Sequence, residues 1–144
     1  MTGGGPHERL HDSISSFLGK NPPSEIPKKW ERFSDIAILP SGSFRDESWG
    51  DIVGPDPWKA VAQGLNVERL GMMGEVTGRL RKSGVKMLLG DDDWVVRREN
   101  GVDDGYPVTK CMFSAGNETE RRRMGEIASR GEVVVDLFAG IGYY

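Results

Sequence analysis

Two glycines and an aspartate follow a run of β-branched residues near the end of the chain. Asp136 comes directly after three consecutive valines, and Gly140 and Gly142 lie just beyond it. Such a run bounded by glycines predicts a buried parallel strand. Glycines at its carboxyl end let the backbone approach a bound nucleotide, because no Cβ stands in the way. A tight turn without any ligand is the alternative interpretation of the same glycines.

A polar turn just upstream predicts the start of a helix that can bind an anion. Asn117 with Glu120 three residues later is a capping pair, and Gly131 is expected to follow the end of the helix. Backbone N–H groups at a helix N-terminus favour a carboxylate. Arg121 would add a fork of donors to the same carboxylate. A solvated helix face is the alternative, which we prefer for Arg123 but not for Arg121.

The composition narrows the classes of chemistry that remain. The 144 residues include 19 Lys and Arg against 22 Asp and Glu, a net charge of -3, so bulk charge gives no support to nucleic-acid binding. The single cysteine, Cys111, excludes an internal disulfide and a cysteine-rich zinc site, and with only His7 and His11 we expect no metal site. The sequence has no secretory signal pattern and no long apolar run, which predicts a soluble, cytoplasmic protein.

The segment that precedes the candidate site predicts a small α+β module over residues 26–104. A strand is expected at 35–40, where Pro40 ends it, and a helix at 58–65 after the capping pair Asp56 and Pro57. A hairpin is expected at 85–96, because two β-rich runs flank a cluster of glycine and aspartates.

Polar stretches mark the expected ends of this module. Residues 1–25 predict a flexible N-terminal extension, in which 8–18 would either dock as a short helix or stay nascent; we expect partial order. Residues 99–107 predict a polar break and a domain boundary, after which 108–113 would be a short strand or an extended segment. A parallel sheet needs further strands and long crossovers. We therefore expect 105–144 to be the truncated beginning of a second domain, and the chain to be a fragment; a complete small protein with an unusual ending is the alternative.

Several of these segments together resemble one enzyme family. The run Lys110-Cys-Met-Phe-Ser-Ala-Gly-Asn117, then Glu120-Arg121, then Val-Val-Asp136-Leu-Phe-Ala-Gly-Ile-Gly-Tyr143 is similar to enzymes that modify position 37 of tRNA. These comprise the tRNA guanine-N1 methyltransferases and the wybutosine-synthesising protein 2 family. The second group is the closer match, because it reads Gly-Ile-Gly-Tyr where the methyltransferases read Gly-Val-Gly-Pro. Weaker similarity extends upstream to about residue 25.

The resemblance implies an α/β fold and a transfer reaction. The small α+β module would be followed by the start of a Rossmann-like class I S-adenosylmethionine-dependent transferase domain. The reaction would move the 3-amino-3-carboxypropyl group of S-adenosylmethionine to C7 of 4-demethylwyosine at position 37 of tRNA(Phe), in wybutosine biosynthesis. The implied partners are S-adenosylmethionine and the anticodon region of tRNA(Phe), with no membrane, and the implied state is a monomer.

The resemblance also implies which residues meet the donor. Ser114 and Arg121 would contact its methionine end. Six residues in all are assigned to the donor site: Phe113, Ser114, Arg121, Asp136, Gly140 and Gly142. No catalytic residue and no acceptor-base residue is assigned within this chain.

Two other functions remain open at this stage. The first is guanine-N1 methyl transfer, against which Tyr143 argues, and the second is an inactive, truncated binding remnant. Contact with tRNA phosphates would fall to local basic clusters, which are equally compatible with a solvated hairpin. Their members are Arg79, Arg81, Lys82, Lys86, Arg97 and Arg98.

Overall fold

The fold is described from a computed structural model, which covers residues 4–50, 55–74, 83–112 and 115–137. These residues form three helices and six strands, with single 3-10 turns at Glu47–Trp49 and Ala115–Asn117. In chain order they are α1 (Pro6–Leu18), β1 (Glu31–Phe33), β2 (Ile36–Leu39), α2 (Pro55–Leu65), β3 (Arg69–Met72), β4 (Lys86–Leu89), β5 (Trp94–Glu99), β6 (Val102–Pro107) and α3 (Glu118–Ile127).

Strands β1 to β4 form one sheet in sequence order. β2 and β3 pair in parallel and are connected through α2, while β1 and β4 pair antiparallel at the two edges. All four residues of β2 are buried, which is typical of a strand covered on both faces. The strand expected at 35–40 is thus confirmed, and the helix expected at 58–65 forms but begins three residues earlier, at Pro55.

Helices α1 and α2 cover one face of this sheet. Leu10 of α1 is fully buried beside Leu65 of α2 and Leu70 of β3. The two helices approach closely at Gly64, where an added Cβ would lie 2.8 Å from the Cα of Leu10. Of the two possibilities for 8–18, the structure therefore has the docked helix, which begins at Pro6.

The hairpin of β5 and β6 covers the opposite face of the sheet. Val95 and Tyr106 turn inward and pack with Ile36 and Ile38. The two strands are joined by Asn100 and Gly101, whose φ angles of +50° and +81° suit the two-residue turns that favour Asn-Gly.

The predicted pairing of this region was wrong. The hairpin expected at 85–96 does not form, because β4 pairs with β3 and β5 pairs with β6. The polar break expected at 99–107 is in fact a turn followed by β6, a strand whose polar residues largely face outward. Where a short strand or extended segment is expected at 108–113, residues 108–110 form a turn, closed by hydrogen bonds to the carbonyl of Pro107, and Phe113 lies outside the described residues.

The C-terminal part also differs from its predictions. Asn117 makes no side-chain cap and Glu120 instead binds Arg123, so the predicted capping pair is wrong. The helix ends at Ile127, before Gly131. Residues 132–137, predicted as a buried strand, form no strand and are exposed, Val133 by 88%. A parallel strand is buried only when neighbouring strands and helices cover it, and no described strand pairs with this segment.

Candidate functional site

The end of β5 holds the first turn of α3 through one buried ion pair. Arg121 donates from Nε to Oε2 of Glu99 and from Nη2 to Oε1, the second bond at 2.8 Å. The side chains are only 5% and 7% exposed. Two parallel bonds between a guanidinium and a carboxylate fix both distance and orientation.

This arrangement keeps Glu99 ionised. The hydrogen bonds from Arg121 lower the pKa of Glu99 below its usual 4.5, against the opposing effect of burial, and the positive charges of Arg97 and Arg122 lower it further. A carboxylate with a depressed pKa is charged at neutral pH. The pair is therefore an ionic one under physiological conditions.

The turn beside Glu99 gives α3 a second point of attachment. Arg122 donates from Nε to Oδ1 of Asn100 at 3.1 Å. Consecutive residues of the helix thus bind consecutive residues of the hairpin. The Asn-Gly turn determines where both acceptors lie.

The outer face of α3 is solvated. Arg122 also bonds Glu118 at 3.3 Å, and Arg123 bonds Glu120 at 2.6 Å, all with exposed side chains. Exposed pairs at this spacing contribute little stability. The prediction that Arg123 lies on a solvated helix face is confirmed.

A second arginine ties the sheet to the base of the hairpin. Arg69 binds both carboxylate oxygens of Asp35, at 2.7 and 2.9 Å, and donates to the carbonyls of Asp92 and Trp94. The hydrogen bonds from Arg69 lower the pKa of Asp35, and those bonds raise the pKa of Arg69. No local sequence pattern predicts this network, since its partners lie 34, 23 and 25 residues from Arg69.

The structure describes two of the six residues that the resemblance assigns to the donor. Arg121 lies in the buried pair with Glu99. Asp136 lies in the exposed segment 132–137. The remaining four fall outside the described residues, as does Tyr143; they are Phe113, Ser114, Gly140 and Gly142.

The predicted basic clusters are also only partly described. Lys86 is exposed on β4, and Arg98 forms an ion pair with Asp103 at 3.0 Å. Arg97, in β5, is half-buried. Arg79, Arg81 and Lys82 lie outside the described residues.

Two further properties concern only the described part of the chain. No group of His, Cys, Asp and Glu side chains there is arranged to ligate a metal ion. No helix among those residues has the length and apolarity that crossing a bilayer requires.

Comparisons with known families match nearly the whole chain. The TYW2 N-terminal domain matches residues 10–93, and the TRM5/TYW2 methyltransferase domain matches residues 95–144. The chain is 45% identical to the tRNA wybutosine-synthesizing protein 2/3/4 of Arabidopsis thaliana, over 96% of this chain and 14% of that protein.

Two solved structures share the fold. One is Pyrococcus horikoshii TYW2 in complex with MeSAdo, at 31% identity and a TM-score of 0.66, over 92% of this chain and 47% of that one. The other is a complex of aTrm5 with tRNALeu, at 25% identity and a TM-score of 0.61, over 82% and 35%. The chain thus spans less than half of each of these proteins. The mixed α/β fold expected from the sequence is confirmed.

Proposed function

The chain belongs to the tRNA wybutosine-synthesizing protein 2 family, and from this premise we propose that the protein is a tRNA-modifying transferase. It transfers the 3-amino-3-carboxypropyl group of S-adenosylmethionine to C7 of 4-demethylwyosine at position 37 of tRNA(Phe). The match of residues 10–93 to the TYW2 N-terminal domain carries this proposal. The match of residues 95–144 supports it less, because that domain is common to TYW2 and TRM5.

The chemistry of the donor makes orientation the main task of this chain. A sulfonium activates each of its three attached carbons, so the pose of the donor against the nucleophile selects the group that moves. In the proposed reaction C7 of the base attacks the side-chain carbon bound to sulfur. The C–S bond breaks, its electron pair stays on the sulfur of methylthioadenosine, and C7 loses its proton.

The residues around α3 set that pose in our proposal. Ser114 and Arg121 hold the methionine carboxylate at the N-terminus of the helix, where backbone N–H groups favour negative charge. Asp136, Gly140 and Gly142 shape the rest of the donor pocket. If Arg121→Ala left the affinity for S-adenosylmethionine and the identity of the product unchanged, this assignment of Arg121 would be wrong.

The proposed acceptor is the anticodon region of tRNA(Phe), bound by a monomer. The relatives' shared name, tRNA wybutosine-synthesizing protein, and the similarity to a Trm5 protein solved with tRNALeu support a tRNA partner. The exposed Lys86 of β4 is one described cation available for phosphate contact.

A double-label experiment on the full-length protein tests the reaction. We would supply tRNA(Phe) containing 4-demethylwyosine and S-adenosylmethionine labelled on the methyl or on the carboxyl carbon. Carboxyl label in the tRNA is the expected result. Methyl label in tRNA with unmodified guanine 37 would establish the methyltransferase alternative. The match to a domain common to TRM5 and TYW2 is compatible with that alternative. Transfer of neither label would favour a binding remnant.

A further inference from the structure

Helix α3 depends on very few side chains for its position. Arg121 is the one buried residue among the ten of this fully described helix. Its partner Glu99 sits at the end of β5, where backbone pairing with Val102 and the Asn100-Gly101 turn restrain it. The carboxylate is therefore on a rigid support, and the guanidinium is on an element that packs little.

Removal of this carboxylate would break the buried, doubly hydrogen-bonded ion pair that orients Arg121. Breaking a buried ion pair by removing one partner is strongly unfavourable, so the side chain would turn towards solvent or draw α3 away from the hairpin. Either movement displaces the guanidinium and the first turn of the helix together. Arg122 would retain its bond to Asn100, which alone fixes neither.

We propose that Glu99 is a positioning residue for Arg121, which it orients towards the carboxylate of S-adenosylmethionine. This inference rests on the proposed role of Arg121 in donor binding. Glu99 binds the edge of the guanidinium that Nε and Nη2 form, through both of its carboxylate oxygens. Held in this way, the planar group has a defined orientation before the donor arrives, so less entropy is lost on binding.

Glu99 also has an opposite electrostatic effect, which makes the inference testable. Its negative charge offsets part of the attraction between Arg121 and a second carboxylate. Preorganisation predicts that loss of this charge weakens donor binding. Competition for Arg121 would predict that the same change strengthens donor binding.

The experiment compares two ligands on the full-length protein. S-adenosylmethionine carries the methionine carboxylate, whereas 5′-methylthioadenosine has the same nucleoside and sulfur without it. Titration calorimetry is expected to show that Glu99→Gln weakens binding of S-adenosylmethionine about tenfold, the effect of losing one charge-assisted bond. Binding of 5′-methylthioadenosine is expected to change less than about twofold, because that ligand does not use Arg121.

Three variants control for indirect effects. Glu120→Gln makes the same chemical change in α3, the helix that carries Arg121; it breaks the exposed pair with Arg123 and should leave both affinities unchanged. Glu99→Asp keeps the charge, should retain part of the affinity, and provides the same comparison if Glu99→Gln does not fold. In an Arg121→Ala background, Glu99→Gln should weaken binding of S-adenosylmethionine no further.

Several results would overturn the inference. Equal weakening for both ligands would mean that Glu99 only maintains the fold, and tighter binding of S-adenosylmethionine would mean that it competes with the donor. Additive losses in the double variant would show that Glu99 does not act through Arg121. Wild-type protein that binds neither ligand would instead refute the proposed function itself.

Discussion

Gly64→Ala is the most direct test of how α1 docks on α2. In an exposed helix this substitution stabilises, because alanine is the better helix former by about 1 kcal/mol. Here the new Cβ would lie 2.8 Å from the Cα of Leu10 and 3.2 Å from the carbonyl oxygen of Arg9. Both are backbone atoms, so the helices themselves must separate to admit the methyl group.

The expected net effect is a loss of stability. Overpacking a close contact costs about 1–3 kcal/mol, from which the gain in helix propensity subtracts about 1 kcal/mol. The balance is a loss of up to about 2 kcal/mol. For a domain of this size each kcal/mol lowers the melting temperature by about 2–4 °C.

Gly125→Ala is the matched control for this measurement. Gly125 also lies in a helix, α3, but an added Cβ would meet no atom within 4 Å. We expect this variant to melt up to about 3 °C higher than wild type. The assay is thermal unfolding of both variants under one buffer, followed by circular dichroism. If Gly64→Ala gained as much as Gly125→Ala, the close packing of α1 on α2 would be refuted.

Three further predictions concern the hairpin of β5 and β6 and the arginines that bind it. Asp35→Asn should weaken the ion pair that orients Arg69, and with it the bond from Arg69 to the carbonyl of Trp94, so that backbone hydrogen exchange in β5 becomes faster. Exchange at the wild-type rate would show that Asp35 does not stabilise β5 through Arg69. Asn100→Ala should cost about 1 kcal/mol in urea unfolding because of the positive φ, whereas Asn100→Gly should be nearly neutral; equal loss in both would point to the side-chain bond with Arg122 instead. The pKa of Glu99 is lower in the folded protein than its usual 4.5, so the ion pair with Arg121 contributes its full stabilisation above pH 4.5. That stabilisation is lost as the pH falls through the pKa that Glu99 has in the folded protein. The stability gap between wild type and Glu99→Gln should therefore close in acid, and a gap that does not change with pH would argue against an ionic pair.

Elements with a strong local pattern were predictable from the sequence. β2 is a run of four apolar residues before a proline, and α2 follows a proline-rich start, so both could be placed within a few residues. The docking of α1 was not predictable, because it depends on how closely Leu10 can approach Gly64 across 54 residues of chain.

The hairpin shows why pairing was harder to predict than strand content. Two turn signals flank β5, the cluster 90–93 and the Asn100-Gly101 pair. The predicted hairpin uses the first, whereas the structure uses the second, whose two positive φ angles allow it to join the strands directly. The backbone conformation of these two turn residues therefore determines which strand pairs with β5. The number of polar residues in a turn cluster does not determine it.

The sequence singles out one of the two residues that form the buried ion pair. Arg121 stood out by its place in the first turn of a helix after a polar loop, and the structure places it where it is buried and oriented. Its partner Glu99 lies 22 residues away, in the segment 99–107 that the sequence predicts to be a polar break. Ion pairs across elements depend on the final packing, which local periodicity does not encode.

The packing of the β5–β6 hairpin limits how this protein can be recombined with its relatives. The two family matches meet between residues 93 and 95, yet Val95 and Tyr106 from one side complete a core with Phe33 and Ile36 from the other. A chimaera that joins the N-terminal part of one relative to the C-terminal part of another at that boundary would combine side chains in this layer that do not fit one another. We expect the residues of this layer on the two sides of the boundary to change together, because a substitution on one side favours a compensating substitution on the other.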